Sequence, residues 1–355
     1  MKKAVLFLLP VMMMSCQTKQ VASSVASEDS FAYSMMKQSV SEGTNAFLSP
    51  TSVAMALNML TPGAGAQTLK ELQAVVPAVH VASTDFLKVA SAIWINEGVQ
   101  VYPAYLQANQ DAEVYAGPIL AQKVNGWASS KTNGKINKIV EDPIRLPMML
   151  TNALYFKAQW QHPFKSQNTK QETFYGAKGE HKVDMMHQTN HFAYIENRKM
   201  QAIRLDYTSP YCMDIILPAQ GKSVADVINE VPNIDLTAAE SCKVRLTLPK
   251  VKLEYEKVLN DYLGEMGLST CFSSKADFSR ISASPLFIGM VKQNTFLAID
   301  EEGTEAAAVT SVMMAMSARP MQEKIYEMNI NRPFLLLIRE TETNRILFYG
   351  VINTL

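Results

Sequence analysis

The sequence contains little that would support nucleic-acid binding or a disulfide framework. Its 33 basic and 33 acidic residues give a net charge of zero, whereas a nucleic-acid partner favours a basic stripe. Beyond Cys16, cysteine occurs only at Cys212, Cys242 and Cys271. Three widely spaced cysteines do not form a disulfide framework, so each is expected to be a buried, small apolar residue.

The sequence also lacks internal repeats and Gly/Pro-rich linkers. With 48% apolar residues in a chain of 355, it can bury the core of one large domain. We therefore predict a single domain over residues 31–355.

Motifs for phosphate, metal and hydrolytic chemistry are absent from the sequence. Gly134-Lys135-Ile136 does not continue as the Gly-Lys-Ser/Thr of a phosphate loop. His181, His187 and His191 are not part of an HExxH motif, and no cysteine lies near them. No serine stands in a nucleophile elbow. We predict that the protein is not an enzyme and needs no metal or cofactor.

The first sixteen residues have the pattern of a secretion signal. Lys2-Lys3 precede the apolar run Ala4 to Met14, which is too short to be a membrane span. At the end of this run, Met13-Met14-Ser15-Cys16 resembles the lipobox of bacterial lipoproteins, which implies lipidation of Cys16. An ordinary signal peptide with an incidental cysteine is the alternative.

The predicted lipid on Cys16 would tether the protein to a membrane without crossing it. Residues 17–30 are polar and are predicted to form a flexible tether. The protein is therefore expected to be exported and to lie at the periplasmic face, at the cell surface or outside the cell.

Residues 296–317, FLAIDEEGTEAAAVTSVMMAMS, are the stretch around which we expect the chain to be organised. Phe296 to Ile299 read as a buried strand that ends in charge at Asp300. Gly303 then offers a backbone pivot, and small side chains follow it. Alanine favours a helix here. If the segment is instead a strand, side chains two residues apart lie on the same face, as Thr304 and Ala306 would. The pattern alone fits both structures.

The segment EEGTEAAAVT resembles the hinge of the reactive-centre loop of inhibitory serpins. It stands in the family's order, after Ile299-Asp300 and before Asn331-Arg332-Pro333-Phe334. The resemblance covers nearly all of the chain after the signal. It implies an α+β serpin fold with a large mixed central sheet, two further sheets, eight or nine helices and an exposed loop at about residues 301–325.

The resemblance assigns two sets of functional residues. The hinge comprises Glu301, Glu302, Gly303, Thr304, Glu305, Ala306, Ala307, Ala308, Val309 and Thr310. Positions that control opening of the central sheet in the family are matched by Ser49, Ser52, Asn152, Trp160, Lys250 and Gln293.

Simpler interpretations exist for several of these residues. Ser49 followed by Pro50 is also a common helix start. Residues 151–160 alone read as an ordinary buried strand that ends at Trp160. The implied ion pair between Lys250 and Glu301, where the loop first inserts, could be only structural.

Two positions depart from the family pattern. Gln293 stands where the central sheet commonly carries a histidine, and glutamine keeps the hydrogen bonds but not the titration. A pH-sensitive sheet opening is therefore not expected. The region from Leu72 to Ala90 is shorter than usual, which leaves the action of a sulfated polysaccharide open.

The resemblance also predicts the bond that a target protease cuts. Counting fourteen residues from Gly303 gives Ser317, and a hinge one residue shorter gives Met316. We predict cleavage at Met316-Ser317, with Ser317-Ala318 as the alternative. Methionine before the cut suits elastase-, chymotrypsin- or subtilisin-like serine proteases. Arg319 would suit a trypsin-like enzyme but lies late in the loop.

The family mechanism implies a suicide inhibitor of serine, or of cysteine, endopeptidases. A protease is acylated by the loop, and the cut loop then inserts as an extra strand into the central sheet. We expect a monomer that is consumed in a covalent complex. A non-inhibitory serpin with a binding or surface role is the main alternative, and an unrelated surface lipoprotein is another.

Overall fold

A seven-stranded mixed sheet forms the centre of the structure, a computed structural model that describes residues 26–304 and 323–355. Its strands are β2 (Leu87–Ile95), β3 (Glu113–Ala116), β4 (Met148–Phe156), β5 (Ala158–Gln159), β11 (Val251–Val258), β12 (Met290–Ile299) and β13 (Gly303–Thr304). The order across the sheet is β3, β2, β4, β12 and β11, with the short strands β13 and β5 beside the end of β12.

The pairing of β4 with β12 at the middle of this sheet is parallel, whereas β2–β4 and β11–β12 are antiparallel. All nine residues of β4 are buried, as expected for a strand covered on both faces. The predicted strand over residues 151–160 is wrong at its ends. It begins at Met148 and breaks at Lys157, whose N–H instead donates to the carbonyl of Phe86 at 2.8 Å.

Nine further strands are joined through the long strand β7. They are β1 (Ala46–Leu48), β6 (Lys170–Gly176), β7 (Gly179–Glu196), β8 (Met200–Asp206), β9 (Tyr211–Pro218), β10 (Ser241–Pro249), β14 (Ile325–Asn329), β15 (Phe334–Glu340) and β16 (Ile346–Ile352). β6 and β10 pair with residues 179–193 of β7, and β8 pairs with its last residues. β7 thus belongs to both of the two further sheets that were predicted.

Seven α-helices lie in the described residues. They are α1 (Glu28–Ser41), α2 (Pro50–Asn58), α3 (Ala66–Val75), α4 (Pro103–Ala108), α5 (Ala121–Lys131), α6 (Val224–Val227) and α7 (Asn260–Leu263). A π-helical turn over Gly264–Leu268 continues α7, and short 3₁₀ turns occur elsewhere in the described residues. None of the helices in residues 26–304 and 323–355 is both long and apolar enough to cross a bilayer.

The N-terminal boundary of the folded domain corrects the prediction. The expected tether ended at Ser30, but α1 begins at Glu28. Ser27 caps the helix by accepting a hydrogen bond from the N–H of Ser30 at 3.0 Å, and Glu28 and Asp29 place negative charge in its first turn.

Two apolar layers cover the central sheet. On its inner face, side chains such as Phe156 and Leu297 pack against the neighbouring sheet, including Phe334 and Phe348. On its outer face, Trp127 of α5 belongs to a smaller cluster over β2 and β4. The inner face of the sheet is therefore buried along its length, whereas on the outer face alternate residues of β11 are exposed.

The three cysteines in the described residues are all free. Cys212 and Cys271 are buried as predicted, and burial raises the pKa of each thiol to about 12. The prediction is wrong for Cys242, which is only half-buried because it lies next to the exposed start of β10 at Ser241.

Candidate functional site

The first hinge residues already lie between two strands of the central sheet. Thr304 pairs antiparallel with Ile299 of β12 on one side and with Ala158 of β5 on the other. Gly303 pairs with Gln159, and the N–H of Trp160 donates to the carbonyl of Glu302 at 2.8 Å. The structure therefore confirms the strand interpretation as far as Thr304.

A tight turn connects β12 to this short strand. The N–H of Asp300 donates to the carbonyl of Gly303 at 2.9 Å. The Asp300 carboxylate accepts hydrogen bonds from the N–H groups of Glu302 at 2.9 Å and Gly303 at 3.1 Å. A Cβ at position 303 would lie 2.1 Å from the carbonyl oxygen of Ala158, so only glycine allows this approach of the two backbones.

The side chain of Thr304 is anchored in the core below the sheet. It is 1% exposed, and its hydroxyl lies 2.7 Å from the hydroxyl of Tyr207. The Tyr207 ring stacks on Trp160 with centroids 4.5 Å apart, and burial raises the pKa of Tyr207. The Trp160 indole N–H donates to the carbonyl of Asp300 at 3.0 Å. Trp160 thus supports the turn from below, at the predicted end of the sheet.

The predicted ion pair between Lys250 and Glu301 is present. Lys250 Nζ lies 2.8 Å from Glu301 Oε2, and the Glu301 side chain is only 12% exposed. Thr169 Oγ1 donates to the other carboxylate oxygen at 2.7 Å. Burial opposes ionisation of Glu301, but these hydrogen bonds outweigh it and lower the pKa of the carboxyl. The same pair raises the pKa of Lys250.

Below the hinge, β4 and β12 pair directly. We call this line of contact the seam. It consists of six residue pairs, from Met290–Met149 to Thr295–Leu154. The register of β12 relative to β4 is the same as its register relative to β5 at the top of the sheet, where Thr304 pairs with both Ile299 and Ala158. Separating the seam to admit another strand therefore requires no sliding of β4 along β12.

Gln293, at the middle of the seam, forms two hydrogen bonds with the start of α2. Its side-chain oxygen accepts from the N–H of Ser49 at 2.7 Å, and its Nε2 donates to the Ser49 carbonyl at 3.1 Å. The Ser49 hydroxyl caps α2 by accepting from the N–H of Ser52 at 3.2 Å. Gln293 is fully buried, so both of its hydrogen bonds are shielded from water.

Asn152 lies directly opposite Gln293 across the seam and is bound to the other side of the helix start. Its Nδ2 donates to the Ser52 carbonyl at 3.2 Å and to the Ser91 hydroxyl at 2.9 Å. Two buried oxygens in this cluster, Ser52 Oγ and Asn152 Oδ1, have no hydrogen-bond partner among the described residues. Such unpaired buried groups are costly, and they lie at the point where the sheet would open.

The structure therefore forms two clusters from the predicted sheet-opening residues. Trp160 and Lys250 lie at the top of the sheet, and Ser49, Ser52, Asn152 and Gln293 lie at the middle of the seam. Sequence reasoning missed four partners of these residues: Ser91, Thr169, Tyr207 and Asp300 as a turn acceptor. Only long-range contacts reveal the first three, whereas the Asp300 turn has a local signal, an aspartate three residues before a glycine.

Several predicted positions lie outside the described residues. These are Cys16, the later hinge residues Glu305, Ala306, Ala307, Ala308, Val309 and Thr310, and the reactive-site residues Met316, Ser317 and Ala318.

Comparison with known proteins agrees with this geometry. The model of the family described as serpin (serine protease inhibitor) matches residues 26–354. An uncharacterized serpin-like protein of Thermococcus kodakarensis is 33% identical over 94% of this chain and 85% of its own length. Human Serpin B4 is 30% identical over 87% of this chain and 93% of its own length. The native structure of tengpin, a thermophilic serpin, is 28% identical with a TM-score of 0.83 over 92% of both chains. The chain belongs to the serpin family.

Proposed function

We propose that this protein is an irreversible suicide-type inhibitor of serine endopeptidases. The observation that carries the proposal is the position of Gly303 and Thr304, which already pair between β5 and β12 at the top of the seam. In the uncleaved protein these two residues already form the beginning of the strand that a cleaved loop would add. Family membership supports inhibition in general, and the hinge geometry supports insertion as its mechanism.

The pairing of Thr304 predicts the register of an inserted loop. Continuing its antiparallel pairing with Ile299 and Ala158 by six residues would bring Thr310 between Gln293 and Asn152. Thr304 faces the core, so alternate residues of an inserted loop would face the core as well. These residues are Ala306, Ala308 and Thr310, whose small side chains suit insertion between strands that are already packed.

The same register would bring a hydroxyl to the two unpaired oxygens at the seam. Residues directly opposite one another on neighbouring strands point to the same face of a sheet. The Thr310 side chain would therefore enter the cluster of Ser52 and Asn152, where Ser52 Oγ and Asn152 Oδ1 have no partner among the described residues. A new hydrogen bond there would stabilise the inserted state and not the native one.

The energy for deforming a bound protease would come from the added strand. An inserted strand of a dozen hydrogen bonds at about 1 kcal/mol each contributes on the order of 10 kcal/mol before burial is counted. The native protein would accordingly be a kinetically trapped state.

The expected target and anchor follow from residues outside the described ranges. Met316 before the predicted cut would fit the apolar pocket of an elastase-, chymotrypsin- or subtilisin-like protease. Cys16 would carry a lipid that holds the inhibitor at the outer side of a membrane of a bacterial cell. A Cys16→Ser variant that leaves the membrane fraction and loses the lipid mass would support the anchor. An unchanged distribution would rule it out.

Titration against elastase, chymotrypsin, subtilisin and trypsin tests the inhibitory function. The proposal predicts a protease–inhibitor band that survives denaturation, and the mass of the released C-terminal peptide identifies the cut bond. Clean cleavage between residues 312 and 319 without such a band would instead indicate a non-inhibitory serpin with a binding role. An uncut loop would also contradict the proposal.

A further inference from the structure

Thr304 and Tyr207 form a pair of hydroxyls that is shielded from water at the top of the central sheet. Thr304 is 1% exposed and Tyr207 is 4% exposed, and their hydroxyl oxygens lie 2.7 Å apart. Neither hydroxyl has a second partner in the part of the chain that the structure describes. Each therefore depends on the other, because a buried hydroxyl without a partner is costly.

The Tyr207 ring is held in place by residues outside the hinge. It stacks on Trp160 at an interplanar angle of 9°, and it meets the Phe156 ring edge-on with centroids 5.4 Å apart. The backbones of Tyr207 and Trp160 form an antiparallel β-bridge, and the N–H of Tyr207 donates to the carbonyl of Tyr211 at 3.2 Å. The phenol hydroxyl is thus fixed at one point, which Thr304 reaches from its position between β5 and β12.

Core packing does not account for the hydroxyl of Tyr207. A phenylalanine would keep the ring contacts with Trp160 and Phe156. Burying a hydroxyl is unfavourable unless it is hydrogen-bonded, and Thr304 supplies that bond. The hydroxyl therefore serves the contact with the hinge.

The hydroxyl pair distinguishes two positions of the hinge. In the seated position, which the structure shows, Thr304 pairs with Ile299 and Ala158. In a withdrawn position Thr304 would leave the sheet, and the Tyr207 hydroxyl would lose its partner. The pair therefore stabilises the seated position relative to the withdrawn one. In the register proposed above, Thr304 keeps its place after insertion, so the pair does not favour the native state over the inserted state.

We propose that Tyr207 is a positioning residue for loop insertion. Its hydroxyl holds Thr304 between β5 and β12, so the cut loop lengthens a strand that already exists. A withdrawn hinge must first return to the sheet. During that delay water hydrolyses the ester between the loop and the protease serine, which releases free protease and cleaved inhibitor. Tyr207 thereby raises the share of cut loops that insert in time, and this role rests on the proposed inhibitory function.

Hydrogen exchange resolved to single amides measures the seated position without a protease. The N–H of Trp160 donates to the carbonyl of Glu302 at 2.8 Å, a bond that the seated hinge provides. In Tyr207→Phe the buried hydroxyl of Thr304 loses its partner, so we expect the Trp160 amide to exchange at least about fivefold faster than in the parent. An unchanged exchange rate would overturn the proposal.

Tyr349→Phe is the matched control. Tyr349 of β16 is fully buried, and its hydroxyl lies 2.8 Å from the hydroxyl of Ser39 in α1. This substitution also removes a tyrosine hydroxyl from a buried pair, but the pair includes no hinge residue. It should leave the exchange of the Trp160 amide unchanged. The same acceleration in both variants would indicate a general loss of stability and would contradict the proposal.

A double variant tests whether the two hydroxyls act through each other. Thr304→Val leaves the Tyr207 hydroxyl buried without a partner, so it should accelerate exchange as Tyr207→Phe does. Tyr207→Phe combined with Thr304→Val leaves no unpaired hydroxyl, and its Trp160 amide should exchange within about twofold of the parent rate. Accelerations that multiply in the double variant would contradict a direct bond.

The stoichiometry of inhibition tests the role in insertion, with a protease that forms the covalent complex with the parent. Tyr207→Phe should raise the amount of inhibitor consumed per inhibited protease about threefold or more, whereas Tyr349→Phe should not. Faster exchange of the Trp160 amide without this rise would overturn the role of Tyr207 in insertion. If the parent forms no covalent complex, the proposed function fails, while the exchange rates still decide whether Tyr207 holds the hinge.

Discussion

Asn152 of β4 and Gln293 of β12 lie directly opposite each other across the seam, and each is bound to the start of α2. Gln293 binds the backbone of Ser49 on one side, whereas Asn152 binds the carbonyl of Ser52 on the other. Opening the seam must therefore pull at least one strand away from the helix. These hydrogen bonds hold the sheet closed at the middle of the seam.

Removing the Gln293 side chain should weaken this closure. Gln293→Ala leaves the buried N–H of Ser49 without its partner and removes one of the two donors to the Ser49 carbonyl, which keeps the N–H of Val53 at 3.2 Å. We therefore expect a loss of about 2 kcal/mol in the free energy of unfolding. Denaturant unfolding measures the change. Gln171→Ala, which removes an exposed glutamine from β6, should cost less than about 0.5 kcal/mol. Equal losses in the two variants would contradict the role of Gln293.

A histidine at the same position should add a pH dependence that glutamine, which does not titrate, cannot supply. In Gln293→His, burial disfavours the charged imidazole, so its pKa in the folded protein lies below the ordinary value of about 6.5. Stability should then be complete above that pH and fall as the pH decreases through it. Thermal unfolding between pH 5 and 8, at about half-unit steps, compares the variant with the parent. Parallel profiles would show that position 293 does not control stability in this way.

Reversing the charge at the top of the sheet should loosen the hinge. Glu301→Lys replaces an ion pair of 2.8 Å by two facing cations and removes the acceptor of Thr169. We expect about 2 kcal/mol lower stability and more polymer on gentle heating. Size-exclusion chromatography after heating measures the monomer fraction. Glu327→Lys, which breaks an exposed pair with Arg245, is the matched control, and an equal monomer fraction in both variants would refute the prediction.

The same ion pair should contribute stability over a defined pH range. The pKa of Glu301 is lowered from 4.5, so its contribution is complete above that pH and is lost as the pH falls. The pKa of Lys250 is raised from 10.5, so its contribution is complete below that pH and is lost as the pH rises through the folded value. The stability difference between the parent and Glu301→Gln should therefore be largest between pH 4.5 and 10.5. A difference that is constant from pH 3 to 11, at about one-unit steps, would contradict this.

The predicted register of the inserted loop can be tested at Thr310. Thr310→Arg would bring a charge between Asn152 and Gln293, where insertion would have to bury it unpaired. We expect the amount of inhibitor consumed per inhibited protease to rise at least about tenfold, with more cleaved inhibitor and less covalent complex. In the proposed register residue 305 of the inserted loop would point to the outward face, so Glu305→Arg should change this ratio little. A similar increase in both variants would contradict the register.

The sequence predicted the start of the hinge because its signal is local. A buried strand, a charged turn and Gly303 follow one another, and β12 and β13 have this arrangement as far as Thr304, whereas the small residues after it lie outside the described residues. The family resemblance predicted the pairing of Lys250 with Glu301, which lie far apart in the sequence. The break at Lys157 was missed because one lysine between Phe156 and Ala158 also fits a continuous strand. Tyr207 and Thr169 were missed because their roles depend only on what the fold brings beside them.

The most direct test of loop insertion compares the native protein with protein cut once in residues 305–322. If the cut loop completes the strand begun by Thr304, the cleaved form gains on the order of 10 kcal/mol. Its thermal transition should then lie higher by about 15 °C or more. Differential scanning calorimetry of both forms measures this shift. An unchanged transition temperature would contradict insertion between β4 and β12, and with it the proposed trapping mechanism.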